Sequence, residues 1–307
     1  MGVLQPGVRL QPPDRQRRDL VRSRHRPELE VTVGAVRAPA VSGRFYPGTK
    51  GELERAVREL LRTVEPGAHP AAARAAIAPH AGYLYSGLTA AHVFARLRVP
   101  RLVVILAPNH TGVSRAPGGA SLWEAGAFAS PLGEVPIDTT FAAALLAACP
   151  LVAVDHEAHR AEHAVEVLIP FLQTVRPDVA IVPLVLAWDA WPPSSELGDA
   201  LAALIQGAPE PVLLLASSDL NHYEAAAVGE LKDAQALAAV QALDGAELLA
   251  RCRRERISMC GRAPTATVLA AARALGATRA EVVDYRHSGW VTGDESAVVG
   301  YGGVVIP

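Results

Sequence analysis

Nothing in this sequence is apolar for long enough to cross a bilayer: its uninterrupted apolar runs are about strand length, against roughly 20 residues for a spanning helix. The N-terminus also lacks the apolar segment of a secretory signal, so a cytoplasmic location with no membrane partner is the expectation. Cysteine is scarce. Cys149, Cys252 and Cys260 are three thiols in 307 residues, too few for a disulfide framework, and the odd count favours free thiols. Charge of one sign is lacking as well. Lys and Arg number 29 against 31 Asp and Glu, a net charge of −2, so no field draws in nucleic acid and none is expected as a partner. Aromatic residues make up only 5%, which gives no sign of a large interface. Several motifs are missing too. There is no Gly-x-Ser-x-Gly elbow, no His-Glu-x-x-His and no Gly-Lys-Ser/Thr phosphate loop. Without a Cys-x-x-Cys pair, zinc ribbons are excluded.

What the chain does have is apolar residue. Half of its positions are hydrophobic, ample for a large core. Residues 1–36 stand apart: seven arginines from Arg9 to Arg26, four prolines and few apolar residues leave little to anchor them. They are expected to form a disordered Arg/Pro-rich extension. Residues 37–307 alternate strand and helix patterns without an interior linker or internal repeat. That predicts one α/β domain, a central mostly parallel mixed sheet flanked by helices. Helices are predicted over 51–63, 87–97, 139–148, 162–174, 192–205, 230–243 and 245–255, with another after Gly261. Strands are predicted over 179–186, 211–217, 279–286 and 296–306, with short ones around 123–137.

Three apolar runs carry the chemistry. Ala75-Ala76-Ile77-Ala78-Pro79 ends in His80. Leu102-Val103-Val104-Ile105-Leu106-Ala107-Pro108-Asn109 ends in His110. Val212-Leu213-Leu214-Leu215-Ala216-Ser217-Ser218 ends in Asp219, with His222 three residues on. Short runs of this composition read as buried parallel strands, and ligands bind beyond the carboxyl ends of such strands. One histidine at a strand end is usually structural. Two copies of the arrangement favour a metal or acid–base site. Asp219 can hold an imidazole in one tautomer, with His222 as its partner. Ser86 is placed to cap the helix that follows His80.

Cys260 is the thiol of interest, because a helix is predicted just after it and helix N-termini favour thiolate. Arg262 would add to that effect and is a candidate anion ligand. Cys149 and Cys252 read as packing or surface residues. His163 is predicted to open the helix over 162–174, with Glu162 and Glu166 four apart on one face and His163 and Glu166 able to present ligands together. Surface charge explains His156, Glu157 and His159 as well as a functional role does.

At these residues the chain resembles the Memo family, which includes the bacterial proteins called AmmeMemoRadiSam system protein B. The resemblance runs from about Val36 to Ile306. It rests on Ser42-Gly43-Arg44-Phe45-Tyr46-Pro47, Ala78-Pro79-His80-Ala81-Gly82-Tyr83, Pro108-Asn109-His110, Glu162-His163-Ala164-Val165-Glu166, Ser217-Ser218-Asp219-Leu220-Asn221-His222 and Cys260-Gly261-Arg262. The family is similar in fold to class III extradiol dioxygenases, whose iron is held by two His and one Glu, so a LigB-like fold is implied. By motif the resemblance implies His80, His110 and Cys260 as ligands to one copper or iron ion. It places His222, Asp219 and His163 in the same pocket as catalytic groups. After His110 the chain reads Thr111-Gly112 where some relatives carry consecutive histidines; the ligand itself stays in place.

The function implied is a copper- or iron-dependent redox enzyme acting on a small molecule or a modified protein, with radical SAM and AMMECR1-like proteins as partners. The alternative is a non-catalytic metal-handling or peptide-binding protein. A third reading, a true extradiol dioxygenase with a glutamate such as Glu166 as third ligand, is disfavoured by Cys260 at the ligand position.

Overall fold

The computed structural model describes residues 34–64 and 70–307; all but the last three residues of the predicted N-terminal extension lie outside the described residues. The strands, in chain order, are β1 (Val36–Arg37), β2 (Ala75–Ala78), β3 (Leu102–Pro108), β4 (Ala120–Leu122), β5 (Ala127–Ser130), β6 (Gly133–Pro136), β7 (Val152–Val154), β8 (Ala180–Leu186), β9 (Val212–Ser217), β10 (His222–Glu224), β11 (Glu281–His287) and β12 (Val298–Ile306). The helices are α1 (Lys50–Thr63), α2 (Tyr83–Phe94), α3 (Thr139–Ala148), α4 (Glu157–Arg160), α5 (Ile169–Val175), α6 (Trp191–Gln206), α7 (Ala226–Gln241), α8 (Gly245–Arg254), α9 (Arg262–Ala274) and α10 (Gly289–Thr292).

The unbroken apolar runs become the centre of the large sheet. β2, β9, β3 and β8 lie side by side and parallel, and every residue of the four is buried. Strands covered on both faces by helices have no polar side to show, which is why these runs do not alternate. Antiparallel strands flank the parallel centre: β12 pairs with β2, β10 and β11, while β4 pairs with β8 and, in parallel, with β7. The sheet is therefore mixed, with its parallel part where the three sequence runs predicted it. A separate three-stranded sheet joins β1, β5 and β6.

Two local expectations change. The helix predicted over 87–97 begins earlier, at Tyr83, because Gly82 ends the loop and the Tyr83 N–H is taken by the Phe45 carbonyl at 2.7 Å. Ser86 therefore lies inside α2, where its hydroxyl donates to Ala81 O rather than capping the helix. The helix predicted over 162–174 is also broken. One turn, α4, comes first, residues 161–165 form a loop, and a short 3-10 turn over Glu166–Leu168 leads into α5. Val167, Leu168, Phe171 and Leu172 are buried as their spacing predicted. The chain ahead of them is held by side chains instead of helical hydrogen bonds.

A buried cation secures that loop. Arg37, 2% exposed, donates to the carbonyls of His159 (3.1 Å) and Glu162 (2.5 Å) and pairs with Glu166. Glu166 also accepts from the N–H groups of Ala40 and Val41 and from the Tyr46 hydroxyl. A buried ion pair is tolerable only when its remaining polar atoms are satisfied, as here. Among the described residues, no helix is long and apolar enough to cross a membrane.

Candidate metal centre

The parallel strands deliver their side chains to one edge. His80 follows β2, His110 follows β3, Asp219 follows β9, and Cys260 precedes α9. Gly261 allows the Cys260 loop to press onto the end of β9: a Cβ there would lie 2.3 Å from Ser217 O. The ligand atoms of His80, His110 and Cys260 all lie within 4.8 Å of one another, so the three can hold a metal ion.

The hydrogen bonds fix which nitrogen each imidazole offers. The Ser217 hydroxyl donates to Ala164 O (2.6 Å), so its oxygen accepts from His80 Nδ1–H at 2.7 Å. His80 Nε2 is left facing Cys260 Sγ at 3.3 Å. On the other strand, Glu162 accepts from His110 N (2.7 Å) and from His110 Nδ1 (2.8 Å), leaving His110 Nε2 as the open donor. Metal-binding histidines are oriented in this way by an oxygen acceptor on the far nitrogen. Two nitrogens and a sulfur make a soft set that suits Cu(I), Zn(II) or thiolate-bound iron.

Charge differs across the set. Burial pushes the His80 pKa down, helped by the neighbouring His110. Burial opposes the charged form of His110 too, but the hydrogen bond and charge of Glu162 outweigh it and raise its pKa. Glu162 is correspondingly held down to about 2, against its own burial, chiefly by the His110 contact. For Asp219 burial wins: it raises the pKa against the His80 N–H hydrogen bond and the neighbouring imidazoles.

Cys260 corrects a local expectation. It lies ahead of the Gly261 cap, and burial, followed by the Asp219 charge, raises its thiol pKa strongly. Without metal it is a thiol, not a thiolate. Arg262 does not serve it: the guanidinium pairs with Asp189 at 2.7 Å and donates to Met259 O. Cys149 and Cys252 are buried and free, as packing residues are.

Asp219 is beside the cluster, but its partners are not those expected. Its carboxylate accepts from His80 N (2.8 Å), and its own N–H lies 3.3 Å from Cys260 Sγ. No hydrogen bond joins it to the His222 ring. The His222 N–H donates to Ser258 Oγ, and its Nδ1 is buried without a partner among the described residues. His163 stacks on His110 with ring centroids 4.6 Å apart, in a loop and not at a helix start.

Glu166 is held by Arg37 and is not a third ligand. Glu162 forms a second possible grouping with His110 and His163. Its carboxylate, however, already accepts from His110 and from the N–H groups of His163 and Ala164. The His–His–Cys set leaves both Nε2 lone pairs and the sulfur open, whereas Glu162 Oε1 already accepts three N–H groups.

Sequence reasoning gave no role to Ser217, Arg37 or Glu162 as supports. The available signal was chemical: each ligand histidine needs an oxygen acceptor, and both Ser217 and Glu162 stood inside quoted motifs. His159 read as surface charge, yet it is 1% exposed, its ring on Ser121 O, with burial lowering its pKa to about 4. His156 is half-buried and stacks on Trp123.

Cavities open on two sides of the cluster. A larger one, about 610 Å³, is lined by His80, His110, His163, Asp219, His222 and Tyr301 among others. A smaller one, about 400 Å³, is lined by His110, Cys260, Trp188, Asp189 and Arg262 among others.

Comparison with known proteins gives the family. The family described as Memo-like protein matches residues 37–305. A MEMO1 family protein of Methanopyrus kandleri is 38% identical over 280 residues, covering 88% of this chain and 98% of that protein. One from Methanothermobacter thermautotrophicus is 36% identical over 275 residues, covering 87% and 98%. One from Aquifex aeolicus is 38% identical over 271 residues, covering 88% and 98%. The single α/β domain with its mixed, helix-flanked sheet is consistent with the LigB-like fold of those proteins, and the chain belongs to the Memo-like family.

Proposed function

We propose that this protein holds one copper or iron ion between His80, His110 and Cys260 and uses it in redox chemistry on a small molecule or a modified protein. The observation that carries the reading is the pair of donated Nδ1–H groups, to Ser217 and to Glu162, which leaves two Nε2 lone pairs beside one thiol. A bound ion of this kind supplies electron exchange and, with three protein ligands, an open coordination position.

The residues of the larger cavity supply proton handling. His222 points a ring without an Nδ1 partner toward it, and Tyr301 keeps its phenol proton because burial and then the Asp219 charge raise its pKa. Asp219 positions the His80 and Cys260 segments through its carboxylate and its N–H. His163 stays neutral by burial and stacks on His110, limiting that ring's motion. Of these, His222 is the group suited to general acid–base work beside a redox centre, with Tyr301 as a hydrogen-bond donor.

Radical SAM and AMMECR1-like partners and a cytoplasmic setting are part of this proposal, supported by the family resemblance alone. The same soft ligand set also suits metal handling without turnover, and peptide binding is the other non-catalytic reading. The deciding experiment is metal analysis of wild type and Cys260→Ser purified anaerobically under reducing conditions without added metal. Near-stoichiometric copper or iron in wild type, lost in the variant, supports the site, and oxidation assays then separate enzyme from carrier. If neither protein takes up metal, the proposal fails.

A further inference from the structure

The candidate ligands line two cavities, and the exposed side chains of the two differ. His110 lines both, its side chain 31% exposed. Cys260 lines only the smaller cavity, whereas His80, 1% exposed, lines only the larger. The larger cavity carries an exposed cation, Arg44, which has no side-chain partner among the described residues, and its one carboxylate, Asp219, is buried. In the smaller cavity the Arg262 guanidinium is neutralised by Asp189 at 2.7 Å. Asp189 is 45% exposed and binds Arg262 through Oδ2.

We propose that the smaller cavity is the port through which the metal ion loads, separate from the larger cavity where a substrate would sit. The inference rests on the metal reading above. A soft cation arriving from this side meets the carboxylate of Asp189, then the Cys260 thiol and His110, and reaches the most buried donor, His80, last. The sulfur–metal bond forms as the S–H bond breaks, and the proton leaves through the cavity to water. From the other side the cation would first pass Arg44, and like charge at a mouth lowers the local concentration of an incoming ion.

The test is stopped-flow uptake of Co(II) by the metal-free full chain, read by thiolate-to-metal absorption, with equilibrium affinity measured separately. Ala187, exposed at the end of β8, lines the smaller cavity, and Ala297, also exposed, lines the larger. Ala187→Trp is expected to slow uptake and release alike, by about tenfold, with affinity unchanged, because it narrows an entry path and not the site. Asp189→Asn leaves Arg262 uncompensated and is expected to slow uptake about threefold to tenfold at low salt, an effect that shrinks as salt is added. Ala297→Trp is expected to leave uptake as in wild type. Slower uptake in Ala297→Trp with none in Ala187→Trp or Asp189→Asn would overturn the port. Should Ala187→Trp not fold, the salt-dependent rate of Asp189→Asn decides alone. No binding of Co(II) at equilibrium in wild type would instead overturn the metal reading, and the port with it.

Discussion

His80 and His110 stand 5.1 Å apart, ring to ring, and present the same nitrogen to the same space, but the two halves of the site are built differently. His80 is buried and leans on a neutral hydroxyl, Ser217, which is itself tied to the backbone. His110 is a third exposed and leans on a carboxylate that is nearly always charged. One support fixes a tautomer only. The other fixes a tautomer and raises the affinity of the ring for a positive charge, whether proton or metal. The difference teaches that orientation and basicity are set separately, so each half can be broken by itself.

The largest effect is expected from Arg37, which secures the loop that carries both Glu162, the support of His110, and the Ala164 carbonyl that anchors Ser217. Arg37→Met leaves Glu166 buried without its cation and frees the carbonyls of His159 and Glu162. A loss of roughly 3–5 kcal/mol of folding stability is expected, read by chemical denaturation of the metal-free chain. A loss near zero would mean that the loop over 161–165 is held by something other than Arg37.

Next comes Glu162→Gln. The amide keeps one acceptor, whereas four N–H groups now point at the carboxylate. Metal affinity is expected to fall about 10- to 100-fold, measured by competition with a chelator. The pH dependence sharpens the same point. Cys260 is a protonated thiol through the neutral range, so metal binding always releases one proton there. Below the raised pKa of His110 a second proton must leave, from the ring nitrogen that faces the metal. The logarithm of affinity should therefore climb with a slope of about one above that pKa and about two below it. His80, whose pKa is lowered, adds no break in this range. Glu162→Gln should move the break to lower pH, and an unmoved break would show that Glu162 does not set the basicity of His110.

Much of this frame was legible in the chain. The apolar runs that end in His80, His110 and Asp219 do form adjacent parallel strands, because a strand buried on both faces leaves an unmistakable pattern. The helix over 139–148 was readable to the residue. The failures came where a distant partner overrode local logic. Residues 162–165 have helical neighbours, yet the Glu162 side chain takes the N–H groups of His163 and Ala164 and the chain leaves the helix. Cys260 sits near a helix start, yet burial, and after it Asp219, far away in sequence, decide its proton. His159 looked like surface charge until Arg37, 122 residues earlier, took its carbonyl.

The smallest effect is expected on the neutral half. In Ser217→Ala the His80 Nδ1–H loses its acceptor, and in the metal-free chain the ring is free to carry its proton on Nε2, facing Cys260 Sγ. Binding a metal must then return the proton to Nδ1, where nothing accepts it. The cost is that of one neutral hydrogen bond, about 1 kcal/mol, or about fivefold in affinity. The pH break should stay where wild type has it, because His110 and Glu162 are untouched. Chelator competition run beside Glu162→Gln checks both points. If Ser217→Ala costs as much as Glu162→Gln, or shifts the break, then the two histidines are held by one coupled network and the division between orientation and basicity is wrong.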